Sequence, residues 1–366
     1  MFHMSLGSKE LFHSNFLEFL WNHNSQAFLN MLFDLLPDDA QYEKKYIKDL
    51  SEKNNLKLAR EKNNFDICIY HEEGNKEIFD IIIENKVKSI PYKSQLDKYV
   101  DKVGLKHGTP IFILLSLVKD FAQRNEICEQ KKWIIVHYNQ MANSLTKFFK
   151  SQNQYINDYC QLVSSLADFD DYIETMNGVE YSQVYDAVKK IRLHDLFLKL
   201  KGSTFVGKLY KLVCNKISQE VVTIDVGERE DKRFNIFLSN SFNNGKNTIT
   251  AAIMQDRIQY AIQIEGNQYR HMYIAKGMAK KSCDATNKKI NSKKLEKYIR
   301  STSALYFLWF EEKFHVPQLL GDLNKKYCRY GADIVYRYKK YSDNEDMLVI
   351  MADDIVNTYK ILYPLN

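Results

Sequence analysis

Residues 64–88 place charged side chains where buried strands should carry none. Asp66 interrupts one apolar run, and the following run, DIII, ends in Glu84, Asn85 and Lys86. Side chains alternate between the two faces of a strand, so Glu84 and Lys86 share a face at a spacing of about 6.6 Å, twice the rise per residue. Burying an unpaired charge costs several kcal/mol. This conflict between apolar pattern and charge predicts a functional site.

These residue types suit the hydrolysis of a phosphodiester bond. Two carboxylates on adjacent strands offer the oxygen ligands preferred by hard divalent cations such as Mg²⁺, which usually keep waters that can be activated. A lysine beside them supplies positive charge to the developing phosphorane, or a proton-transfer group if its pKa is lowered. We therefore expect a metal-dependent hydrolytic site at the ends of these two strands.

The same residues resemble the PD-(D/E)XK nuclease superfamily. The resemblance is carried by Asp66, by the sequence ENK at 84–86 after an apolar strand, and by Gln95 and Tyr99 in QLDKY. The opening KELFHSNFLEFLW is similar to the first helix of a bacterial branch of that superfamily, and the resemblance covers about the first 150 residues. One departure is Phe65, which stands where the family motif has its proline, a position that varies widely.

Glu-x-Lys is by itself a weak signal, because the chain contains it five times, beginning at Glu43, Glu84, Glu129, Glu230 and Glu311. Only the copy at Glu84 follows a β-branched apolar run, has an aspartate on the preceding strand and precedes Gln-x-x-x-Tyr. The alternative is a surface hairpin whose end carries a solvated glutamate and lysine.

The resemblance implies roles for these positions. Asp66 and Glu84, with the backbone carbonyl of Asn85, would bind Mg²⁺ or Mn²⁺, Lys86 would position or activate the attacking water, and Gln95 would orient it. In-line attack would leave a 5′-phosphate.

A second group of residues has supporting roles. Glu10, in the first helix, is a further candidate metal ligand, although a first-turn glutamate also favours the helix dipole. His13 and Ser14, one turn later, either touch a phosphate or finish the helix surface. On the helix predicted at 92–103, Tyr99, Lys93 and Lys98 would contact nucleic acid, with Lys102 adding to the basic flank.

The composition indicates a globular chain. It has 366 residues, 45% hydrophobic and 27% charged, with a formal net charge of +6 that suits a polyanionic partner. Its six cysteines show no CxxC pair, which argues against a zinc site or a disulfide framework and favours a reducing cytoplasm. No apolar run approaches 18 residues, so no membrane partner is expected.

The order of elements predicts an α/β class with a mixed central sheet flanked by helices, followed by an α+β C-terminal domain. The resemblance implies that the first part is a restriction-endonuclease-like core. Helices are predicted at 8–22 and 26–36, an edge strand at 56–61, and apolar strands at 110–118 and 133–138 joined by a crossover helix. The predicted domains are the nuclease-like core at 1–150, a helical connector at 151–203 and the C-terminal domain at 204–366.

The C-terminal domain should contain a hairpin over 258–275 and helices near 288–300, 303–313 and 348–362. Aromatic and basic side chains alternate here, and they could form a DNA-binding face with stacking platforms. They are Tyr260, Tyr269, Arg270, His271 and Tyr273, followed by Lys276, Lys280, Lys281, Lys288, Lys289, Lys293 and Lys294. The alternatives are a solvated charge run, recognition of a protein partner, or homodimerisation through this half.

The first hypothesis for function is a metal-dependent nuclease acting on DNA, which would fit defence against foreign DNA. The second keeps the fold without turnover, as a catalytically idle module that binds nucleic acid or a protein partner. An unrelated α/β enzyme finds no support, because the chain lacks a glycine-rich phosphate loop and a GxSxG motif.

Overall fold

The chain folds into two compact units, one formed by Met1–Asn177 and Val184–Leu200 and the other by Gly178–Gln183 and Lys201–Asn366. The structure is a computed structural model. It describes residues 10–87, 93–103, 110–119, 124–130, 132–150, 153–176, 178–217, 236–243, 246–255, 258–266, 268–284, 289–301, 326–341 and 346–362.

The first unit is built on a five-stranded mixed sheet with the order β1-β2-β3-β4-β5. Its elements are α1 (Glu10–His23), α2 (Ser25–Leu35), α3 (Gln41–Ser51), β1 (Lys57–Arg60), β2 (Ile67–Glu73), β3 (Lys76–Lys86), α4 (Lys93–Val103), β4 (Ile111–Ser116), α5 (Arg124–Glu129), β5 (Trp133–His137), α6 (Tyr138–Phe149) and α7 (Gln154–Thr175). Helices α8 (Gly178–Lys190) and α9 (His194–Lys216) follow. Strands β1 to β3 are antiparallel, and β3, β4 and β5 are parallel. The predicted mixed sheet flanked by helices is confirmed.

Strand β3 lies at the centre of this sheet because its apolar run can be covered on both faces. Ile81, Ile82 and Ile83 are fully buried, as is most of β4. At the other end of the β2–β3 hairpin, Glu73 pairs with Lys76, which leaves Gly74 and Asn75 as a two-residue loop. The antiparallel pairing of β2 with β3 and the parallel pairing of β3 with β4 bring three strand ends together at one edge.

One strand departs from the predicted alternation of faces. The register between β2 and β3 shifts between Ile69 and Tyr70, so that Asp80 has no paired residue opposite it. An extra residue in one strand makes a β-bulge, which bends the strand and redirects a side chain. Strict alternation along β3 would place Asp80 on the face of Glu84 and Lys86, and the bulge interrupts that alternation.

Helix α3 was not predicted from the sequence. Its buried side chains are Ile47 and Leu50, two apolar residues on an otherwise polar segment. Two such positions, three residues apart, hold a helix against a core when the tertiary fold presents one. The predicted crossover helix is present as α5, which is shorter than the segment that connects β4 to β5.

The second unit contains a six-stranded antiparallel sheet with the order β10-β11-β9-β8-β7-β6. Its elements are β6 (Ile236–Asn243), β7 (Lys246–Gln255), β8 (Ile258–Glu265), β9 (Gln268–Ile274), α10 (Met278–Lys281), α11 (Ser292–Arg300), β10 (Cys328–Tyr330), β11 (Ile334–Lys340) and α12 (Met347–Leu362). The predicted α+β character, the β8–β9 hairpin and helices α11 and α12 are confirmed. Strands β10 and β11 were not predicted.

On one face of this sheet, Tyr269 and His271 both bond to the buried carboxylate of Asp354 in α12. The predicted helix at 303–313 lies outside the described residues. Within the ranges that the structure describes, no helix is both long enough and apolar enough to cross a bilayer.

Candidate active site

The first part of the site is Asp66, which directly precedes β2. The register that pairs Ile67 with Ile83 places Asp66 opposite the Glu84 position. One carboxylate oxygen of Asp66 accepts a hydrogen bond of 2.8 Å from the backbone N–H of Asn85. The carboxylate is therefore fixed to the neighbouring strand at the end of its apolar run.

The loop that leads into Asp66 has an unusual backbone. Glu61, Asn63 and Asn64 all have positive φ angles, between 53° and 63°. Asparagine tolerates this left-handed region better than most residues, whereas glutamate does not. Lys102 from α4 donates a 2.6 Å hydrogen bond to the carbonyl of Asn63, which holds the loop in place. The adjacent asparagines at 63 and 64 are a sequence signal for this turn, although the turn was not predicted.

The second part of the site is Glu84, which is 1% exposed. Its Oε1 atom lies 2.5 Å from Nζ of Lys86 and accepts a 3.0 Å hydrogen bond from the amide of Gln95. The same amide donates to the hydroxyl of Tyr99 at 2.9 Å, so each of its two hydrogens has an acceptor. The strand period and the four-residue spacing on α4 thus bring Glu84, Lys86, Gln95 and Tyr99 together.

The second oxygen of Glu84 is different. Oε2 is buried, and no residue that the structure describes forms a hydrogen bond with it. A buried carboxylate oxygen without a partner costs about 1–3 kcal/mol or more, because it has lost water and gained nothing. A water molecule or a bound cation could supply the missing partner.

The pKa values of the site groups all shift in one direction. Burial raises the pKa of Glu84 to about 7, and the charges of Asp66 and Glu10 add to this increase against the opposing effect of Lys86. Burial also raises the pKa of Asp66, although the Asn85 N–H and Lys86 oppose that shift. Three carboxylates facing one ammonium group thus favour bound protons.

The pKa of Lys86 is raised as well. Burial by itself lowers the pKa of Lys86, but the Glu84 ion pair and the charge of Asp66 outweigh burial and raise it. Lys86 is therefore a protonated cation in the ion-free protein.

Glu10, at the start of α1, lies over the same edge of the sheet. Its Oε1 accepts a 3.2 Å hydrogen bond from the backbone N–H of Val87, directly after β3. His13 and Ser14 are both buried, so neither is open to a phosphate. His13 faces Tyr159 at 3.2 Å, and Ser14 donates to a carbonyl of its own helix. The suggestion that these two residues touch a phosphate is wrong, because the helix face that carries them packs into the core.

Tyr138, the first residue of α6, was not among the predicted site residues. Its hydroxyl donates a 2.9 Å hydrogen bond to Oδ1 of Asn85, and both residues are buried. Asn85 is thereby held twice, through its side chain by Tyr138 and through its N–H by Asp66. A tyrosine that follows an apolar strand gives no sequence signal for this contact.

The predicted backbone-binding lysines occupy different situations on α4. Lys93 forms an ion pair of 2.8 Å with Asp97, one turn away. Lys98 is exposed. At the opposite end of the β2–β3 hairpin, Asp80 bonds to Tyr46 at 2.6 Å and to His71 at 2.7 Å, so that it ties α3 to the sheet.

The donor set fits a hard divalent cation. It offers the carboxylates of Asp66 and Glu84, the unpartnered Oε2 and an excess of negative charge that a cation would offset. In the described ranges, no group of three or more His, Cys, Asp or Glu side chains could hold an ion by itself. Two side-chain carboxylates would therefore have to be completed by backbone carbonyl oxygen and water, the pattern that Mg²⁺ accepts.

Comparison with known proteins gives one match. A family model of the PD-(D/E)XK nuclease superfamily matches residues 2–164, which contain every site residue named above. No curated protein and no solved structure matched the chain. The sequence of residues 2–164 is therefore similar to that of the PD-(D/E)XK nuclease superfamily, and the mixed sheet flanked by helices is consistent with that fold.

Proposed function

We propose that this protein is a Mg²⁺- or Mn²⁺-dependent nuclease that hydrolyses phosphodiester bonds of DNA. The observation that carries the proposal is the surroundings of Glu84, a buried carboxylate with one oxygen held by Lys86 and Gln95 and the other without a described partner. What sets Glu84 apart is that its unsatisfied oxygen belongs to a group that also contains Asp66 and Lys86, the set of residues that a metal-dependent hydrolytic site needs.

Asp66, Glu84 and the carbonyl of Asn85 would hold the ion, with Glu10 as a further ligand, directly or through water. The bound ion would supply charge stabilisation and a water of lowered pKa. Lys86 is protonated, so it would act by hydrogen bonding and by charge beside the attacked phosphate.

Gln95 would orient the attacking water, because its amide already lies against Glu84 and can exchange one hydrogen bond for another. Tyr99, Lys93 and Lys98 would contact the nucleic acid backbone next to the site. Lys93 would have to leave Asp97 to do so. Both side chains of that ion pair are partly exposed, and i, i+4 pairs on helices are worth only about 0.3–0.5 kcal/mol.

The test compares Glu84→Gln and Lys86→Ala with the parent chain. Each variant is incubated with supercoiled plasmid, linear duplex, single-stranded DNA and RNA, with Mg²⁺, with Mn²⁺ and with chelator. We expect the parent to cut DNA only when metal is present, and both variants to lose at least a hundredfold in rate. The matched control is Lys45→Ala, an exposed lysine on α3 far from the site in the sequence.

Undiminished cleavage by both variants would refute the site assignment. Absence of cleavage by the parent, with DNA binding retained, would instead favour the idle nucleic-acid-binding module. Cleavage of RNA but not of DNA would be compatible with the proposed metal site and would refute DNA as the substrate.

Defence against foreign DNA and a cytoplasmic location are the further parts of this proposal. Defence rests on the family resemblance, and the location on six cysteines that are all free thiols. Bacteria that express the parent chain should show a lower plating efficiency of a double-stranded DNA phage than bacteria that express Lys86→Ala. Equal plating would refute the defence role without affecting the nuclease assignment.

A further inference from the structure

Three neighbouring elements of the second unit form one continuous surface, made of α10, α11 and the turn between β10 and β11. The backbone N–H of Lys280 in α10 bonds to the carbonyl of Ala332 in that turn at 3.0 Å. The N–H of Gly277 bonds to the carboxylate of Asp333 at 2.6 Å. Tyr298 of α11 donates to the carbonyl of Lys276 at 3.3 Å. These contacts hold the three elements in a defined arrangement.

This surface, called the α10–α11 surface below, is strongly basic. Residues 275–301 contain nine Lys and Arg residues against two Asp and Glu residues. Both acids are engaged, since Asp284 lies 3.5 Å from Lys294 and Glu296 pairs with Arg300 at 2.7 Å. The exposed lysines of the surface that pair with no described carboxylate are Lys276, Lys280, Lys281, Lys293 and Lys297. Positive charge therefore exceeds what the described protein neutralises.

The surface also has a depression and an exposed aromatic ring. Lys280, Arg329 and Tyr330 line a shallow depression of about 400 Å³, together with the turn residues Gly331 and Ala332. The φ angle of Gly331 is +61°, a conformation that lets the chain reverse directly after Tyr330. Tyr330 is 64% exposed and lines the same depression as Lys280 and Arg329. A ligand that covers the exposed Tyr330 ring would not have to break a contact in the protein core.

We propose that the α10–α11 surface binds the phosphate backbone of nucleic acid, with Tyr330 stacking on a base or packing on a sugar. Clustered cations with an interleaved aromatic ring are what sequence-independent nucleic acid binding uses. An anionic membrane is a poorer fit, because membrane-binding faces bury several apolar side chains. In the described part of this surface, Tyr330 is the one large apolar side chain that is mainly exposed.

Binding needs no catalysis, so it can be tested without the proposed nuclease function. The probe is a fluorescein-labelled 20-base-pair DNA duplex, measured by anisotropy in excess chelator at several salt concentrations, with the full chain. The test variant is the triple substitution Lys280→Gln, Lys297→Gln and Arg329→Gln. The control is Lys45→Gln, Lys48→Gln and Lys360→Gln, which changes the net charge equally at exposed positions elsewhere.

We expect the test variant to bind at least tenfold more weakly near 0.1 M salt, and the control to bind within twofold of the parent. Loss of three phosphate contacts should reduce the slope of log K against log salt by about 2.7. Tyr330→Ala should weaken binding of a single strand about fivefold or more, with the salt slope unchanged. Thermal melting of each variant checks that it is folded, which exposed substitutions should leave intact.

Equal affinities and equal slopes for the test and control variants would overturn the proposal. It would also be overturned if the test variant lost binding to vesicles of phosphatidylserine and phosphatidylcholine while keeping its affinity for DNA. If the test variant binds DNA more weakly while Glu84→Gln cleaves DNA normally, the proposed binding surface is supported and the proposed catalytic site is refuted. The two proposals can therefore fail independently of each other.

Discussion

Replacing Tyr138 with Phe tests whether a hydrogen bond behind the site controls the chemistry in front of it. The substitution removes the 2.9 Å hydrogen bond to Oδ1 of Asn85, a residue that is 0% exposed. The Nδ2 atom of Asn85 already has no hydrogen-bond partner among the described residues, so the whole amide would then be unsatisfied. An unsatisfied buried group costs about 1–3 kcal/mol, which is the expected loss in the free energy of unfolding.

The effect on activity should be larger than the loss of stability suggests. The N–H of Asn85 fixes Asp66, and its carbonyl is the proposed third metal ligand. If the Asn85 side chain moves to find a new partner, its main chain shifts with it. A displacement of the reacting groups by 1 Å can cost about a hundredfold in rate, so we expect kcat to fall at least tenfold.

Tyr159→Phe is the matched control. Tyr159 is also fully buried, and its hydroxyl faces His13 at 3.2 Å without touching Asn85. We expect the two variants to lose similar stability and only Tyr138→Phe to lose activity, in single-turnover DNA cleavage assayed well below both melting temperatures.

A double-mutant cycle with Asn85→Ala provides a second readout that needs no activity. Its coupling energy in denaturant unfolding should be about 0.5–3 kcal/mol with Tyr138→Phe and near zero with Tyr159→Phe. Equal activities of the two tyrosine variants, or equal couplings, would refute the positioning role.

Three further predictions concern stability. Burial raises the pKa of Asp170 to about 7 from an ordinary 3.8, so the stability that its protonated form contributes is present in acid and is lost as the pH rises to 7, at about 1.4 kcal/mol per pH unit. Across that pH window, Asp170→Asn should become more stable relative to the parent. A difference in denaturation midpoint that does not change with pH would contradict this. Burial lowers the pKa of His13 to about 4 from 6.5, so the stability that the neutral imidazole contributes is present above pH 6.5 and is lost as the pH falls toward 4. His13→Gln should remove this acid-dependent loss of stability. The prediction is wrong if the stabilities of variant and parent change in parallel with pH. Tyr46→Phe removes the 2.6 Å hydrogen bond to the buried Asp80 and should lower the free energy of unfolding by about 1–3 kcal/mol without changing the cleavage rate. A loss of activity at a temperature where the variant is folded would show that Asp80 does more than hold α3.

Local patterns were enough for the framework of the first unit. Apolar runs such as residues 110–118 predict strands covered on both faces, and the structure has β4 there, fully buried. The two-residue strand period placed Glu84 and Lys86 on one face, and the four-residue helix period did the same for Gln95 and Tyr99. These relations hold because residues two or four apart are neighbours whatever the rest of the chain does.

Local patterns failed where few side chains carried the signal. Helix α3 has two buried residues, and β11 mixes tyrosines with lysines and arginine, so neither shows a clear period. The bulge at Asp80 was not predicted either, because an inserted residue shifts the register without changing the composition of the strand.

The amino-acid order by itself determined which groups share a strand or helix face, and so placed Glu84 beside Lys86 and Gln95 beside Tyr99. Only the tertiary structure decided what completes the site. The bond from Tyr138 to Asn85 spans 53 residues, and the bond from Val87 to Glu10 spans 77. Such contacts depend on how helices pack against the sheet, and packing is a property of the whole core rather than of any segment of the chain.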